Sequence, residues 1–148
     1  MRLSRGSFPG VDSERFDQVP GTRFGSVRWV SEIGSTNTEL LELGRTDASE
    51  GAVLIADLQT AGRGRRGRQW TAPPGTSLMM SVLLRPPDHA LQLRQASLVT
   101  SAFACAAAAA CVALVGVEPG LKWPNDLVVE VAADRRVESD QGYRKLAG

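Results

Sequence analysis

The sequence has few of the residues that serve metal-dependent or nucleophilic catalysis. It contains one histidine, His89, and two cysteines, Cys105 and Cys111, among 148 residues. With one histidine and no nucleophile motif, a Ser-His-Asp triad and a histidine-ligated metal site are both poorly supported. The cysteines would lie about 120° apart around a helix axis, which predicts small core residues rather than a disulfide or a shared metal. His89 is interpreted as a surface loop residue.

An excess of charge of one sign is also missing. The 17 lysines and arginines oppose 16 aspartates and glutamates, which gives a net charge of +1. A dedicated nucleic-acid-binding protein usually carries a much larger basic excess. Hydrophobic residues make up 43% and charged residues 22% of the chain, as in ordinary globular domains. Composition therefore predicts a single globular domain with a core of its own.

No segment is predicted to cross a membrane. The longest apolar segment, 101–117, is mostly alanine and is followed by Pro119, so we interpret it as a buried, closely packed helix. Arg2 and Arg5 near the N-terminus are not followed by an apolar run, which argues against a secretory signal. We therefore expect a cytoplasmic protein.

The most informative feature that is present is the segment 62–68, with the sequence GRGRRGR, followed by Trp70. Glycines allow backbone N–H groups to approach an anion closely, and each arginine offers a planar fork of donors that stays charged at neutral pH. The segment is therefore predicted to be an anion-binding loop.

Two other interpretations of this loop have weaker support in the sequence. Residues 62–67 match the dinucleotide-binding pattern G-x-G-x-x-G, but that pattern needs a following helix and an acidic residue about 20 positions later. Here the segment 71–75, TAPPG, follows and breaks a helix. A solvated basic loop that binds nucleic acid non-specifically is the second interpretation, and the small net charge weakens it.

Strands and helices are predicted to alternate along the chain. Helix α1 is expected to open with a capping box from Thr36 to Glu39, to run through Leu43 and to be closed by Gly44. The other predicted elements are strands at 27–33, 52–56, 77–84, 121–123 and 127–131, a helix at 91–115 and a last strand from Tyr143. The pattern predicts an α/β (α+β) fold in which a mixed β-sheet packs with helices. Residues 1–24 are expected to be a loosely ordered extension, and 25–148 a domain.

Four short motifs stand in order along that domain. They are Ser35-Thr36-Asn37, Gln59 before the arginine loop, the segment 122–126 (KWPND) and the segment 144–148 (RKLAG). Together they resemble the catalytic domain of biotin protein ligases over about 27–148. The resemblance implies the fold shared by class II aminoacyl-tRNA synthetases and biotin synthetases.

The resemblance implies an ATP-dependent reaction in which biotin becomes biotinyl-5'-AMP and is transferred to a lysine of a biotin carboxyl carrier protein domain. ATP and Mg²⁺ enter as co-substrates, with the Mg²⁺ ligands unknown. Biotin binding is implied for Ser35, Thr36, Asn37, Gln59, Gly62, Arg63, Arg65 and Lys145. Contact with the nucleotide or the adenylate is implied for Arg65, Arg68, Trp70, Lys122, Asn125 and Asp126. The residues implied to be catalytic are Lys122, Lys145 and Arg63.

The reaction's physical chemistry suits these residue types. Biotin carboxylate and ATP are both anions, and two unit charges about 4 Å apart repel by roughly 4 kcal/mol at an effective dielectric near 20. Cations must therefore hold them together, and a loop that closes would protect the mixed anhydride from water. Simpler roles stay open: Thr36 as a helix cap, Trp70 as a packing aromatic, and Asn125 and Asp126 as caps of the turn after a proline.

Three departures from the family pattern affect the expected function. No helix-turn-helix domain precedes the catalytic region, so no DNA-binding repressor function is expected. The link from Asp126 to Lys145 is long and is interpreted as an extended surface hairpin. The chain is expected to be truncated after the segment 144–148, without further sheet strands and a small C-terminal domain. The alternatives are a lipoate or octanoate ligase, an inactive ligase fragment, and a non-catalytic basic module that binds nucleic acid.

Overall fold

The computed structural model describes residues 3–5, 13–17, 21–24, 26–46, 48–86, 96–131 and 142–148. The chain divides into two compact units, Met1–Arg85 and Pro86–Gly148. Each unit has its own β-sheet.

The first unit is built on a five-stranded mixed sheet in the order β1-β2-β3-β4-β5. Its strands are β1 (Leu3–Arg5), β2 (Ser13–Asp17), β3 (Ser26–Ile33), β4 (Ala52–Gln59) and β5 (Met79–Val82). Only β3 and β4 pair in parallel, and helix α1 (Thr36–Arg45) makes the crossover between them. The other neighbouring pairs are antiparallel.

The core of this unit lies where α1 packs on the sheet. Leu40 of α1 meets Val30 of β3 and Leu54 and Ala56 of β4, and Leu83 completes the cluster. Val30 and Leu54 are each 1% exposed. Burial of a side chain of this size contributes about 1.5–3 kcal/mol. The predicted strand at 52–56 is confirmed and extends to Gln59.

Both predicted ends of α1 differ from the structure. Ser35, rather than Thr36, is the N-cap, and its side chain accepts a hydrogen bond from the backbone N–H of Thr38. The helix also continues through Gly44 to Arg45. A Cβ at Gly44 would lie 2.9 Å from Cδ1 of Leu83, so this glycine serves close packing and does not end the helix.

Two strands lie in the segment where no element was predicted. β2 pairs antiparallel with β3, from Ser13 opposite Val30 to Asp17 opposite Ser26, and β1 pairs with β2. Both strands are short, and pairing with a neighbouring strand leaves a weaker mark in the sequence than burial in a core. The division into an extension at 1–24 and a domain at 25–148 stays a prediction.

The second unit holds helix α2 (Ala96–Val115) and a three-stranded antiparallel sheet. Its strands are β6 (Gly120–Lys122), β7 (Asp126–Glu130) and β8 (Tyr143–Ala147). They confirm the three strands predicted here, with a register shift at Leu127 and Val128. Residues 132–141 of the predicted surface hairpin, 91–95 of the predicted helix and His89 lie outside the described residues.

Helix α2 is not the buried helix that the sequence predicted. Leu114 is 83% and Leu98 64% exposed, and Cys105 is exposed rather than part of a core. The window Leu98–Val115 has a mean hydropathy of 2.3 with none of it buried, so by length and composition this helix could cross a membrane. A single such helix is weak support for a membrane span, because core helices share these properties. Alanine-rich composition indicates close packing only where a partner surface covers the helix.

Candidate functional site

A partly buried hydrogen-bond network lies at one end of the parallel strand pair. β3 and β4 end together, with Ile33 opposite Gln59, so the chain leaving β3 meets the last side chain of β4. The side-chain Oε1 of Gln59 accepts from the backbone N–H of Thr36 at 2.7 Å and from its hydroxyl at 3.0 Å. The Thr36 hydroxyl also lies 2.9 Å from Oγ of Ser81 on β5. The polar side chains of Gln59, Thr36 and Ser81 thus form one hydrogen-bond network.

This network fixes which end of the Gln59 amide is available to a ligand. With two donors already bound to Oε1, the amide oxygen is occupied, and the NH₂ end is left to donate elsewhere. That end faces the start of the arginine loop, where Nε2 lies 3.2 Å from the position of a Cβ on Gly62. Ser35 and Thr36 are 6% and 3% exposed, so both hydroxyls are held in a largely dry environment.

The arginine loop is a narrow, backbone-bonded hairpin. Trp70 N donates to Gly62 O at 2.9 Å, Gly64 N donates to Arg68 O at 2.7 Å, and Arg63 bridges to Gln69. A Cβ at Gly62 would lie 2.4 Å from Trp70 O, so only glycine fits this close approach.

The turn of the loop exposes its cations. It is a 3₁₀ turn at Arg65–Gly67, where Arg66 and Gly67 have φ of 59° and 73°. Arg63, Arg66 and Arg68 are exposed, and within the described part of the chain none of the three forms an ion pair. A hairpin that projects unpaired guanidinium groups is suited to an anion.

In the second unit, strand register places the side chains of Lys122, Asp126, Tyr143 and Lys145 on one face of the sheet. Lys122 lies opposite Asp126, and Tyr143 and Lys145 are two residues apart on β8, opposite Glu130 and Val128. Because side chains alternate along a strand, all of them share a face. We call this the lysine face. Lys122 and Lys145 are the only lysines in the sequence.

Each lysine of this face has a different partner. Lys145 Nζ lies 2.8 Å from Oδ1 of Asp126. Lys122 donates to the Tyr143 hydroxyl, and its Nζ is 4.5 Å from the centroid of that ring. A Cβ at Gly148 would lie 2.3 Å from Asp126 Oδ1 and 2.7 Å from Lys145 Nζ. A side chain at the last residue of the 144–148 motif would therefore displace the ends of Asp126 and Lys145.

The remaining predicted residues occupy ordinary positions near these clusters. Asn37 is exposed in the first turn of α1, and Asn125, half-buried, precedes β7. Among the described residues, no three histidine, cysteine, aspartate or glutamate side chains gather in a group that could hold a metal. A cavity of about 320 Å³, lined by Trp29, Asp57 and 75–78 among others, contains none of the predicted residues.

Neither Ser81 nor Tyr143 belongs to the predicted set. Ser81 is the lone hydroxyl of the apolar strand β5, and a polar residue in such a strand can indicate a hydrogen-bond network. Tyr143 directly precedes the 144–148 motif, but the sequence offers no sign that its side chain reaches Lys122.

Comparison with known proteins gives a consistent result. Residues 29–148 match the model of the biotin/lipoate A/B protein ligase family. The biotin–[acetyl-CoA-carboxylase] ligase of Mycobacterium tuberculosis is 41% identical over 116 residues, covering 76% of this chain and 44% of the relative. The bifunctional ligase/repressor BirA of Bacillus spizizenii is 37% identical over 97 residues, covering 66% of this chain and 29% of the relative.

Solved structures agree. The Aquifex aeolicus biotin protein ligase in complex with biotin and ATP matches with a TM-score of 0.58 and 36% identity, covering 70% of this chain and 41% of that one. The Leishmania major biotin protein ligase in complex with biotin matches with a TM-score of 0.50 and 26% identity, covering 78% of this chain and 52% of that one.

These likenesses confirm the predicted mixed α/β fold class and the predicted resemblance. The chain spans less than half the length of the curated relatives named above. With a family match over most of its residues, the chain belongs to the biotin/lipoate A/B protein ligase family.

Proposed function

We propose that this protein is an ATP-dependent biotin ligase, which makes biotinyl-5'-AMP and passes the biotinyl group to a lysine of a biotin carboxyl carrier protein domain. The observation that carries the proposal is that one chain holds two kinds of chemistry: a partly buried, uncharged polar network in one unit and a lysine face in the other. The named relatives and the biotin- and ATP-bound structure of the Aquifex aeolicus enzyme support it.

The polar network suits the neutral head of biotin. A ureido ring presents two N–H donors and one carbonyl acceptor without charge, and each such group left unmatched in a dry site costs about 1–3 kcal/mol. Ser35 and Thr36 supply hydroxyls, and the free NH₂ end of Gln59 supplies a donor for a carbonyl. Asn37, exposed at the same helix end, is proposed to contact biotin beside this network.

The cations suit the reacting groups. In adenylation a carboxylate oxygen of biotin attacks the α-phosphorus of ATP, the bond to the β-phosphate breaks, and pyrophosphate leaves. Lys122 and Lys145 of the second unit and Arg63 of the first are the cations proposed to offset the negative charge of the reacting groups. Arg65, Arg68 and Trp70 would close over the adenylate as the loop folds down, with Gly62 at its base.

Asn125 and Asp126 would contact the nucleotide. Mg²⁺ would arrive with ATP, and the Asp126 carboxylate has the hard oxygen ligands that this ion prefers. When bound, the ion would supply Lewis-acid charge at the phosphates. In the ligand-free chain that carboxylate is engaged with Lys145.

The second half-reaction is an acyl transfer. The lysine amine of the carrier attacks the biotinyl carbonyl, and AMP leaves with the electron pair of the broken bond. A cytoplasmic location of the ligase would place it in the same compartment as a cytoplasmic carrier domain. The absence of a DNA-binding domain stays a prediction, because relatives in Bacillus and Escherichia coli are named as bifunctional ligase/repressors.

The test is exchange of labelled pyrophosphate into ATP by the purified chain, with biotin, lipoate or octanoate as the acid and folding checked by circular dichroism. We expect exchange with biotin alone. Exchange with lipoate or octanoate, and none with biotin, would identify that acid as the substrate. Affinity for RNA or DNA that falls steeply with salt, without any exchange, would favour the nucleic-acid-binding alternative. Arg63→Ala should weaken retention of biotin and of the adenylate.

A further inference from the structure

The two lysines of the lysine face are held by chemically different partners. Lys145 meets a carboxylate, which offsets its charge, whereas Lys122 meets the neutral oxygen and ring of Tyr143. A cation within about 6 Å of an aromatic centroid is attracted to the ring. The Lys122 ammonium is therefore held in place while its net charge stays available to an anion.

Donor count supports the same conclusion. An ammonium group has three N–H donors, and the contact with Tyr143 uses one of them. The others can bind phosphate oxygens while the first stays in place. A lysine side chain carries about 2 kcal/mol of rotamer entropy, and an exposed lysine that is already held loses less of it when a ligand binds.

The position of Tyr143 suits a fixed support. It is half-buried at the start of β8, where its backbone is paired with Glu130 of β7, and it lies on the same face as Lys122 and Lys145. Lys122 itself is exposed at the end of β6. The more rigid residue of the pair thus supports the more flexible one.

We propose that Tyr143 is a positioning residue that holds the Lys122 ammonium ready for the phosphates of ATP. This inference rests on the proposed ligase function, and it concerns a residue outside the four motifs. It assigns the phenol oxygen the larger role, because that atom accepts the hydrogen bond, and the ring the smaller one.

The test compares Tyr143→Phe, which keeps the ring, with Tyr143→Leu, which keeps neither group, in the full chain. Glu130→Gln is the matched control, since Glu130 lies directly opposite Tyr143 on the same face and, among the described residues, forms an ion pair with neither lysine. The first readout is the rate of amine acylation with acetic anhydride, resolved by peptide mass spectrometry. The amines available to the reagent are those of Lys122, Lys145 and the N-terminus, and fragmentation of the peptides distinguishes acetyl groups on these amines from any on Tyr143 or the cysteines.

We expect acylation of Lys122 to become about threefold to tenfold faster in Tyr143→Phe, because the hydrogen bond to the phenol oxygen holds the amine against Tyr143 and restricts its access to the reagent. The rate should rise further in Tyr143→Leu. Lys145 should keep its rate, and Glu130→Gln should behave as wild type. An unchanged Lys122 rate in both Tyr143 variants would overturn the proposal whether or not the chain is active.

The second readout separates positioning from structure. In biotin-dependent pyrophosphate exchange, both Tyr143 variants should raise KM for ATP or lower kcat, with KM for biotin unchanged. The effect should be larger in Tyr143→Leu than in Tyr143→Phe. Faster acylation without any change in exchange would also overturn the proposal. If the wild type shows no exchange, the proposed ligase function is rejected for this chain. The positioning role of Tyr143 is then tested by whether ATP protects Lys122 from acylation. Equal protection in wild type and Tyr143→Leu would reject the positioning role, and weaker protection in the variant would support it.

Discussion

Thr36 and Gln59 are joined by two hydrogen bonds to a single acceptor. Oε1 of Gln59 accepts from the backbone N–H of Thr36 and from its hydroxyl, across 23 positions of sequence. The N–H at a helix start has no partner within its own helix, so a residue of another strand satisfies it. The start of α1 is therefore fixed to the end of β4, and the amide of Gln59 is oriented by the same contact.

Thr36→Val should destabilise the protein and weaken biotin binding. Valine keeps the shape but loses the hydroxyl, which leaves Ser81 and one lone pair of Gln59 without that partner in a buried network. The expected cost is about 1–3 kcal/mol in the free energy of unfolding. Urea denaturation and equilibrium binding of biotin measure the two effects.

Thr38→Val is the matched control for that variant, because Thr38 is exposed on the same helix and bonds Ser35 only through its backbone N–H. It should stay within about 0.5 kcal/mol of wild type. Equal losses in the two variants would show that helix propensity, rather than the network, governs Thr36.

Gly62→Ala should open the base of the arginine loop. The new methyl carbon would lie 2.4 Å from Trp70 O, so the backbone hydrogen bond between the two residues would have to break. We expect weaker biotin binding and faster cleavage of the loop by trypsin. Gly64→Ala is the control, since its Cβ would meet only Arg68 at 3.4 Å or more. Similar behaviour of both variants would contradict the close-approach role of Gly62.

The start of α1 also shows what sequence can and cannot provide. Ser35, Thr36 and Asn37 are all good N-cap residues, so the pattern predicts a helix start but not which residue caps it. The choice is made by Gln59, a partner that local sequence does not contain. The strands at 27–33, 121–123 and 127–131 were predictable because bulky apolar residues and turn residues mark them locally.

The lysine face illustrates the same limit. Its motif residues were predicted from their order along the chain, but their pairing follows from strand register, which places Tyr143 beside Lys122 and Asp126 beside Lys145. The predicted burial of helix α2 is wrong, because composition shows how apolar a segment is and not whether another surface covers it.

The exposure of α2 predicts a contrast between two leucine substitutions. Leu114→Glu, at a side chain that is 83% exposed, should change the free energy of unfolding by less than about 0.5 kcal/mol. Leu54→Ala, at a side chain that is 1% exposed, should cost about 2–5 kcal/mol. Urea denaturation of both variants makes the comparison. A large loss in Leu114→Glu would mean that α2 is covered in solution.

Asp126→Asn should strengthen the binding of free pyrophosphate measured without Mg²⁺. The ion pair with Lys145 holds that lysine and offsets its charge, so the neutral amide should release a full positive charge to the anion. Because the two side chains are 39% and 27% exposed, the pair itself should contribute only about 0.2–1 kcal/mol to stability. The affinity gain should be several-fold at low salt and should shrink as ionic strength rises.

Glu130→Gln removes one negative charge from the same face and leaves the ion pair between Asp126 and Lys145 intact. It therefore distinguishes the effect of the ion pair from the general effect of one negative charge fewer. We expect a smaller gain in pyrophosphate affinity in Glu130→Gln. Glu130 lies at the other end of β7 from Asp126, which is the partner of Lys145. If Asp126→Asn binds pyrophosphate more weakly than wild type, Asp126 orients Lys145 toward the anion instead of competing with it. Repeating the titration with Mg²⁺ and ATP then tests the proposed nucleotide role, since a carboxylate that serves the ion should make the substitution unfavourable only in the presence of the metal.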